Sequence, residues 1–320
     1  MTTTITPITT TPQDVLRVTD LDEHQFRHIL QLAETMKARP YEWVASLPGR
    51  MISCYFEKPS TRTRVSFAGA ATRLGMTALW LRPDELQLGR GEPIADTARV
   101  LAGYSAAIVV RTFDQHVVEE IAAFSDVPVI NALTDQHHPC QALADFFTMR
   151  EHFGDVRGLR LAFIGDGDNV ARSLMEAGGL AGVEIVVASP PHYQIGGGET
   201  QRLERAAQEH GSHVTVVDDP REAVRGADAV YTDVWVSMGE ESQRAARMKA
   251  LDAFRVTPEL MALAAPNAIF MHCLPAHRGE EVSAEVIDGP ASVVWQQAAN
   301  RLPTEQALLH SLITHRWVPE

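Results

Sequence analysis

Apolar residues recur along this chain with two periods that alternate. Residues 21–38 carry Phe26, Ile29, Leu30, Leu32, Ala33 and Met36 at helical spacing, with Asp22 and Glu23 at the end where a helix dipole favours negative charge. Residues 51–56 form a short apolar run that reads as a buried strand, and 77–81 a second one. From 84 to 93 the chain is polar and Gly-rich, which predicts an exposed loop. A helix over 94–104, a strand over 106–110 ending in Arg111, a helix over 116–124 and a strand over 127–133 follow. The helix that starts at Cys140 and runs to about His152 reads as a bridge into a second half. There, strands at 159–164, 183–188, 213–217, 229–232 and 268–272 alternate with helices at 170–181, 199–210 and 220–226, and the tail 293–316 is mostly helical. Gly196-Gly197-Gly198 reads as a flexible loop. Strands alternating with helices in both halves predict an α/β protein with two parallel-sheet layers flanked by helices.

Composition narrows the function classes. The 320 residues suffice for two domains of ordinary size. Lys+Arg number 28 and Asp+Glu 41, a net charge of −13 with no basic cluster, which argues against a nucleic acid partner. Any anion site must therefore be local, built by a few converging arginines. Cys54, Cys140 and Cys273 are too few and too scattered for a disulfide framework or a zinc site. No apolar run approaches the roughly 20 residues of a membrane helix. Residues 1–11 are Thr-rich, without the basic start and apolar core of a signal peptide, so a cytoplasmic protein with a short disordered start is expected.

Candidate chemistry begins at 55–67, Tyr-Phe-Glu-Lys-Pro-Ser-Thr-Arg-Thr-Arg-Val-Ser-Phe. Ser60 and Thr61 are good helix-start residues. Their hydroxyls, the free N–H groups of a first helical turn, and Arg62 and Arg64 suit an oxyanion such as phosphate. A capped helix start with solvent-facing arginines is the plainer alternative. Arg111 ends a predicted parallel strand, where ligands bind in open α/β sheets, although a solvated surface arginine would look the same. Pro139 fits a first helical position, which places His138 at the N-cap and Gln141 on the same face. His137 and His138 invite a metal, but no carboxylate or cysteine has suitable spacing. Gly165-Asp166-Gly167-Asp168-Asn169 follows a strand and opens a helix, yet Val170 stands where a dinucleotide fingerprint needs its third glycine. The next strand ends in Ala188-Ser189 without a ribose-binding acid, so no nicotinamide cofactor is expected.

Taken in order, the 55–67 stretch, His138-Pro139-Cys140-Gln141-Ala142-Leu143-Ala144-Asp145, Asp233-Val234-Trp235-Val236-Ser237-Met238-Gly239 and His272-Cys273-Leu274-Pro275 resemble the motifs of the aspartate/ornithine carbamoyltransferase family. The last two point to its ornithine branch, and the resemblance runs from about residue 16 to 312. It implies two α/β domains with the active site in the cleft between them. Residues 1–145 would bind carbamoyl phosphate, completed by a C-terminal helix 293–316 that packs back on them, and 146–292 would bind the amino acid. The implied reaction carries the carbamoyl group to the side-chain amine of L-ornithine, giving L-citrulline and phosphate in arginine biosynthesis, with no metal, cofactor or covalent intermediate.

The resemblance also implies roles for residues. Ser60, Thr61, Arg62, Thr63 and Arg111 would hold the phosphate. Arg62, His138 and Gln141 would meet the carbonyl oxygen and carbamoyl nitrogen, Cys273 and Leu274 would line the same subsite, and Arg301 would close it from the last helix. Gln87 would reach into a neighbouring subunit's site, which implies a homotrimer. Asn169, Asp233, Ser237 and the Met238 backbone would hold ornithine, with Cys273 beside Asp233 helping the amine shed a proton. Three positions depart from the family's usual pattern: Ala68 and Ala299 stand where it has Glu, and Asp168 where it has Asn. The two missing acids could have braced Arg64 and Arg301. A specialised carbamoyltransferase for a related diamino acid or amine in a secondary pathway, or a catalytically weak binding or regulatory relative, stays open on the residues alone.

Overall fold

The computed structural model describes residues 13–88, 91–236 and 241–317. The first half runs α1 (Glu23–Ala38), β1 (Met51–Phe56), α2 (Arg62–Arg73), β2 (Thr77–Leu81), α3 (Ile94–Tyr104), β3 (Ala107–Arg111), α4 (Gln115–Ala123), β4 (Val129–Leu133) and α5 (Pro139–Phe153). The second runs β5 (Arg160–Ile164), α6 (Asn169–Ala181), β6 (Glu184–Ala188), α7 (Gly197–Glu209), β7 (Val214–Val217), α8 (Pro220–Val224), β8 (Ala229–Thr232), α9 (Arg244–Leu251), α10 (Pro258–Met261), β9 (Ile269–His272) and α11 (Ala284–Ile287), and ends in α12 (Val294–Thr314).

Two parallel sheets result. The first has strand order β2-β1-β3-β4 and the second β7-β6-β5-β8-β9. Sequence periodicity located every one of these strands. Both sheets are wound outward from a middle pair, β1 and β3 in one and β5 and β8 in the other. The crevice outside such a pair, at the carboxyl ends of its strands, is where an open α/β sheet receives ligands. The chain leaves β1 into Ser60–Thr63, β3 at Arg111, β5 into Asp168-Asn169, and β8 into Asp233. These motifs therefore hang at the carboxyl ends of strands, while Arg301 comes from α12.

Three helices join the halves. α12 packs on α1, α2 and α5 and also touches β9, while α5 and α1 pack on α6. One apolar core continues through both halves, with Phe26, Phe67, Phe146, Phe147 and Phe163 fully buried. Phe26 meets Phe146 edge to face at 5.7 Å, and each such buried ring contributes about 2 kcal/mol.

One expectation needs correction. Gly197 and Gly198 are helical, the first residues of α7, with Gly196 as its N-cap. Glu199 anchors that end through Arg172 at 2.8 Å and Thr200 bonds back to the Ile195 carbonyl at 3.2 Å, which offsets the entropy that two glycines cost. Helices α9, α10 and α11 are not legible in the sequence because each is short and carries only a turn or two of pattern.

Candidate functional site

β1 ends at Phe56, and the chain turns over Lys58-Pro59 into α2. Lys58 is buried, paired with Asp135 and held 4.4 Å from the Phe113 ring centroid. The Ser60 Oγ accepts from the Thr63 N–H at 3.2 Å. Thr61 stands at the N-cap with helical backbone angles and no side-chain cap, so Ser60 rather than Thr61 does the capping. Arg62 reaches across the cleft and donates to the Leu274 carbonyl. Leu274 presents that carbonyl at φ +60°, a conformation uncommon outside glycine. Arg64 turns away and lies 5.1 Å over Trp80. The expected pair of arginines at this helix start is thus a single one, and the others come from elsewhere.

They come from β3 and α12. Arg111 Nη1 and Arg301 Nη2 each lie 3.4 Å from the Thr63 hydroxyl. Burial, then repulsion from Arg301 and Arg62, pushes the Arg111 guanidinium down to about 9. That is the mark of a positive nest short of anions. Arg301 does have a counter-ion. Glu305, one turn along α12 and equally buried, accepts from it at 2.7 Å. Glu305 therefore supplies the brace that the missing acids were expected to have given. Ala299 is exposed, so an acid there would face solvent.

His138 stands at the N-cap position of α5 just before Pro139, as the sequence predicts, with no side-chain cap bond, and its backbone N–H donates to Ser173 Oγ at 2.8 Å. Burial first, then Arg301, Arg111, Arg62 and Lys58, hold its imidazole far below the usual histidine range. At neutral pH it is uncharged, with one N–H to donate. Gln141 Oε1 accepts from Arg301 Nη1 at 2.7 Å, and its Nε2 donates to Asp145 at 2.8 Å. Asp145 in turn accepts from Gln297 at 2.7 Å. Burial pushes the Asp145 carboxyl up to about 7 against the pull of these amides.

Across the cleft, ligating atoms of Asp233, His272 and Cys273 lie within 4.8 Å of one another. Asp233 accepts from the Val234 N–H at 2.7 Å, and burial raises its carboxyl. Burial and the facing Asp233 carboxylate push the Cys273 thiol well up. This trio does not fit a resident metal as it stands, because both nitrogens of His272 are engaged. Nδ1 accepts from the Leu274 N–H at 2.8 Å and Nε2 meets Glu281 at 3.2 Å. Asp168 caps α6, and burial together with Asp233 and Asp166 raises its carboxyl. Asn169 donates to the Thr134 carbonyl at 2.5 Å. Ser237 and Met238 lie outside the described residues. Gln87 is exposed on its loop, and its side chain makes no hydrogen bond among the described residues.

The structure thus gathers Arg62, Thr63, Arg111, His138, Gln141 and Arg301 on one side, and Asp233, Cys273 and Leu274 on the other. Asp145, Gln297, Glu305 and His272 support them and had been given no role. Gln141 and Asp145, and likewise Gln297, Arg301 and Glu305, recur every fourth residue. That spacing puts each set on one helix face and could have flagged them.

Comparison with known proteins agrees with this layout. Residues 13–151 match the model of the aspartate/ornithine carbamoyltransferase carbamoyl-P binding domain, and 157–312 that of the Asp/Orn binding domain. The chain belongs to the aspartate/ornithine carbamoyltransferase family. Among relatives in this family, ornithine carbamoyltransferase of Methanoculleus marisnigri is 48% identical over 303 residues, covering 94% of this chain and 97% of that one. The Bacillus subtilis enzyme is 46% identical over 310 residues, 97% of each. The structure of ornithine carbamoyltransferase from Pyrococcus furiosus superposes with a TM-score of 0.90 at 45% identity, covering 96% of this chain and 98% of that one.

Proposed function

We propose that this protein transfers the carbamoyl group of carbamoyl phosphate to the side-chain amine of L-ornithine, forming L-citrulline and phosphate. The observation that carries this reading is the convergence of Arg111 and Arg301 on Thr63, with Arg62 spanning from that nest to the Leu274 carbonyl beside Cys273 and Asp233. An anion site and an acidic, amine-attracting site face each other across one cleft. Family membership and the named relatives support the same pairing.

On this reading, the phosphate lies against Ser60, Thr61, Arg62, Thr63, Arg111 and Arg301, and residues 1–145 with 293–316 form its domain. Arg62 and the neutral His138 donate to the carbonyl oxygen as charge builds there, and Gln141 Oε1 takes an N–H of the carbamoyl group. Residues 146–292 supply Asn169, Asp233, Ser237 and Met238 for ornithine. Its amine has a solution pKa of about 10.4, like lysine, and attacks only when neutral. Asp233 draws in the ammonium, and Cys273 orients the amine as its proton leaves. Nitrogen then bonds to the carbamoyl carbon, the C–O bond to phosphate breaks, the nitrogen's surplus proton passes to an oxygen of the departing phosphate, and the arginines meet its remaining charge. Cys273 stays a thiol, so no covalent enzyme intermediate is required. Exposed Gln87 reaches a neighbouring site in a homotrimer. All three cysteines are free, which suits the reducing cytoplasm.

The test is incubation with carbamoyl phosphate and a panel of amines, with mass detection of ureido products. Citrulline from ornithine is expected, ahead of products from lysine, diaminobutyrate or putrescine. No ureido product from any amine would overturn the reading.

A further inference from the structure

We propose that Asp145 is a positioning residue for substrate choice: it fixes which end of the Gln141 amide meets the acyl group, and so selects an acyl phosphate bearing an N–H over one bearing a methyl. The inference rests on the carbamoyl phosphate reading above.

Gln141 is wedged between two groups of opposite hydrogen-bonding character. Arg301 only donates, and its Nη1 lies 2.7 Å from Gln141 Oε1. Asp145 accepts through Oδ1, 2.8 Å from Gln141 Nε2. Turned over, the amide would put oxygen against the carboxylate and NH2 against the guanidinium, losing two charge-assisted bonds at once. Only one orientation satisfies both neighbours. Asp145 is itself fully buried and fixed from behind. Gln297 gives it a second N–H at 2.7 Å, and the Gln297 oxygen is committed to the His272 N–H at 2.9 Å. Protonation of Asp145 does not undo the arrangement, because Oδ1 already takes two amide N–H groups, so the proton goes to Oδ2 and Oδ1 still accepts.

The consequence is a fixed acceptor among donors. Arg62, Thr63, Arg111 and Arg301 all offer N–H or O–H groups. Gln141 Oε1 has a second lone pair beyond the one Arg301 uses. A carbamoyl NH2 satisfies it; an acetyl methyl leaves it buried and unpaired. A site built to pair a substrate N–H rejects the analogue lacking it far more strongly than an apolar site rejects a missing methylene. Without Asp145, Gln141 can present its NH2 instead, and the distinction weakens.

The experiment measures binding of carbamoyl phosphate, acetyl phosphate and inorganic phosphate to the full chain by thermal shift. The variants are Asp145→Leu, Asp145→Asn, Gln141→Met and Asp145→Leu with Gln141→Met. Wild type is expected to prefer carbamoyl over acetyl phosphate at least tenfold. Asp145→Leu removes the acceptor and should reduce that ratio tenfold or more while inorganic phosphate binds within threefold of wild type, which also shows that the variant folds. Asp145→Asn keeps an oxygen that accepts from both glutamines and should keep the wild-type ratio. Gln141→Met should lose the same preference, and the double variant no more than either single one. A wild-type ratio in Asp145→Leu, a lost ratio in Asp145→Asn, or additive losses in the pair would overturn the proposal. Because binding is the readout, a wild type that prefers carbamoyl phosphate but makes no ureido product counts against the proposed reaction and leaves this inference standing.

Discussion

Arg111 and Arg301 approach the same hydroxyl, that of Thr63, from two different elements, each at 3.4 Å. They do so unequally. Glu305 neutralises Arg301, whereas among the described residues Arg111 has no carboxylate partner. The Arg111 guanidinium is pushed down from the usual arginine range to about 9 by burial and its arginine neighbours. Holding its charge at neutral pH therefore costs stability in the empty protein. The cost is relieved as pH rises through about 9, or when an anion arrives. Arg111→Met is expected to leave the ligand-free protein as stable or more so, and to abolish stabilisation by phosphate. Wild type at about 100 times Kd should gain about 2.7 kcal/mol. Thermal melts with and without inorganic phosphate check both parts.

Cys273 invites a nucleophilic reading that its surroundings oppose. With burial and Asp233 both raising its thiol, little thiolate exists near neutrality. Alkylation by iodoacetamide at pH 8 should run slower than for a free thiol and climb with pH beyond 9. Cys273→Ser should keep measurable turnover, reduced about 10- to 100-fold, as fits loss of an orienting or proton-passing group. Complete loss of turnover together with fast alkylation at pH 7 would contradict this account.

The turn after β5 has a tight steric requirement. Gly165 adopts φ +138°, and a Cβ on Gly167 would fall 2.7 Å from the Tyr193 carbonyl oxygen and 2.9 Å from the Ile195 nitrogen, both backbone atoms. Gly167→Ala must displace the segment after β6, and should cost about 1–3 kcal/mol. Since Asp168 and Asn169 follow directly, acceptor KM should rise more than the KM for carbamoyl phosphate. Urea melts and initial rates separate the two effects.

Much of this could be read from the sequence, and the reasons for the misses are physical. Strands such as 107–111 and 160–164 are buried on both faces, so their apolar runs stand out, and His138 was placed by the rule that proline suits a first helical turn. Arg64 misled because adjacency in sequence implies nothing about which way a side chain turns on a helix; Trp80 drew it off. Arg301 and Gln141 meet across 160 positions, a contact no local pattern encodes. Only the fourfold spacing within each helix hinted at Asp145, Gln297 and Glu305.

Asp168 is the departure from the family's pattern with most bearing on the acceptor. Its carboxylate caps α6 through the N–H groups of Val170 at 3.0 Å and Ala171 at 3.4 Å. Asparagine caps helices as well, so Asp168→Asn should preserve the fold. What changes is charge. Burial raises the Asp168 carboxyl, and Asp233 and Asp166 raise it further. The interaction with Asp233 is mutual, so ionised Asp168 also opposes ionisation of Asp233, whose own carboxyl burial already raises. Removing the charge at 168 lets Asp233 ionise at lower pH. If Asp233 must be ionised to draw in the ammonium, the acid limb of kcat/KM for ornithine should move to lower pH in Asp168→Asn. Above that limb the opposite holds. A bound cation then loses one attractive neighbour, worth on the order of 1 kcal/mol if solvated, and acceptor KM should rise several-fold while the KM for carbamoyl phosphate stays put. Stability follows the same sign. Folding raises the Asp168 carboxyl, so its ionisation destabilises the native state as pH rises above the ordinary carboxylate range, and the Asn variant should show the flatter dependence of Tm on pH there. A pH profile and a set of melts that superpose on wild type would mean that Asp168 does no more than cap its helix.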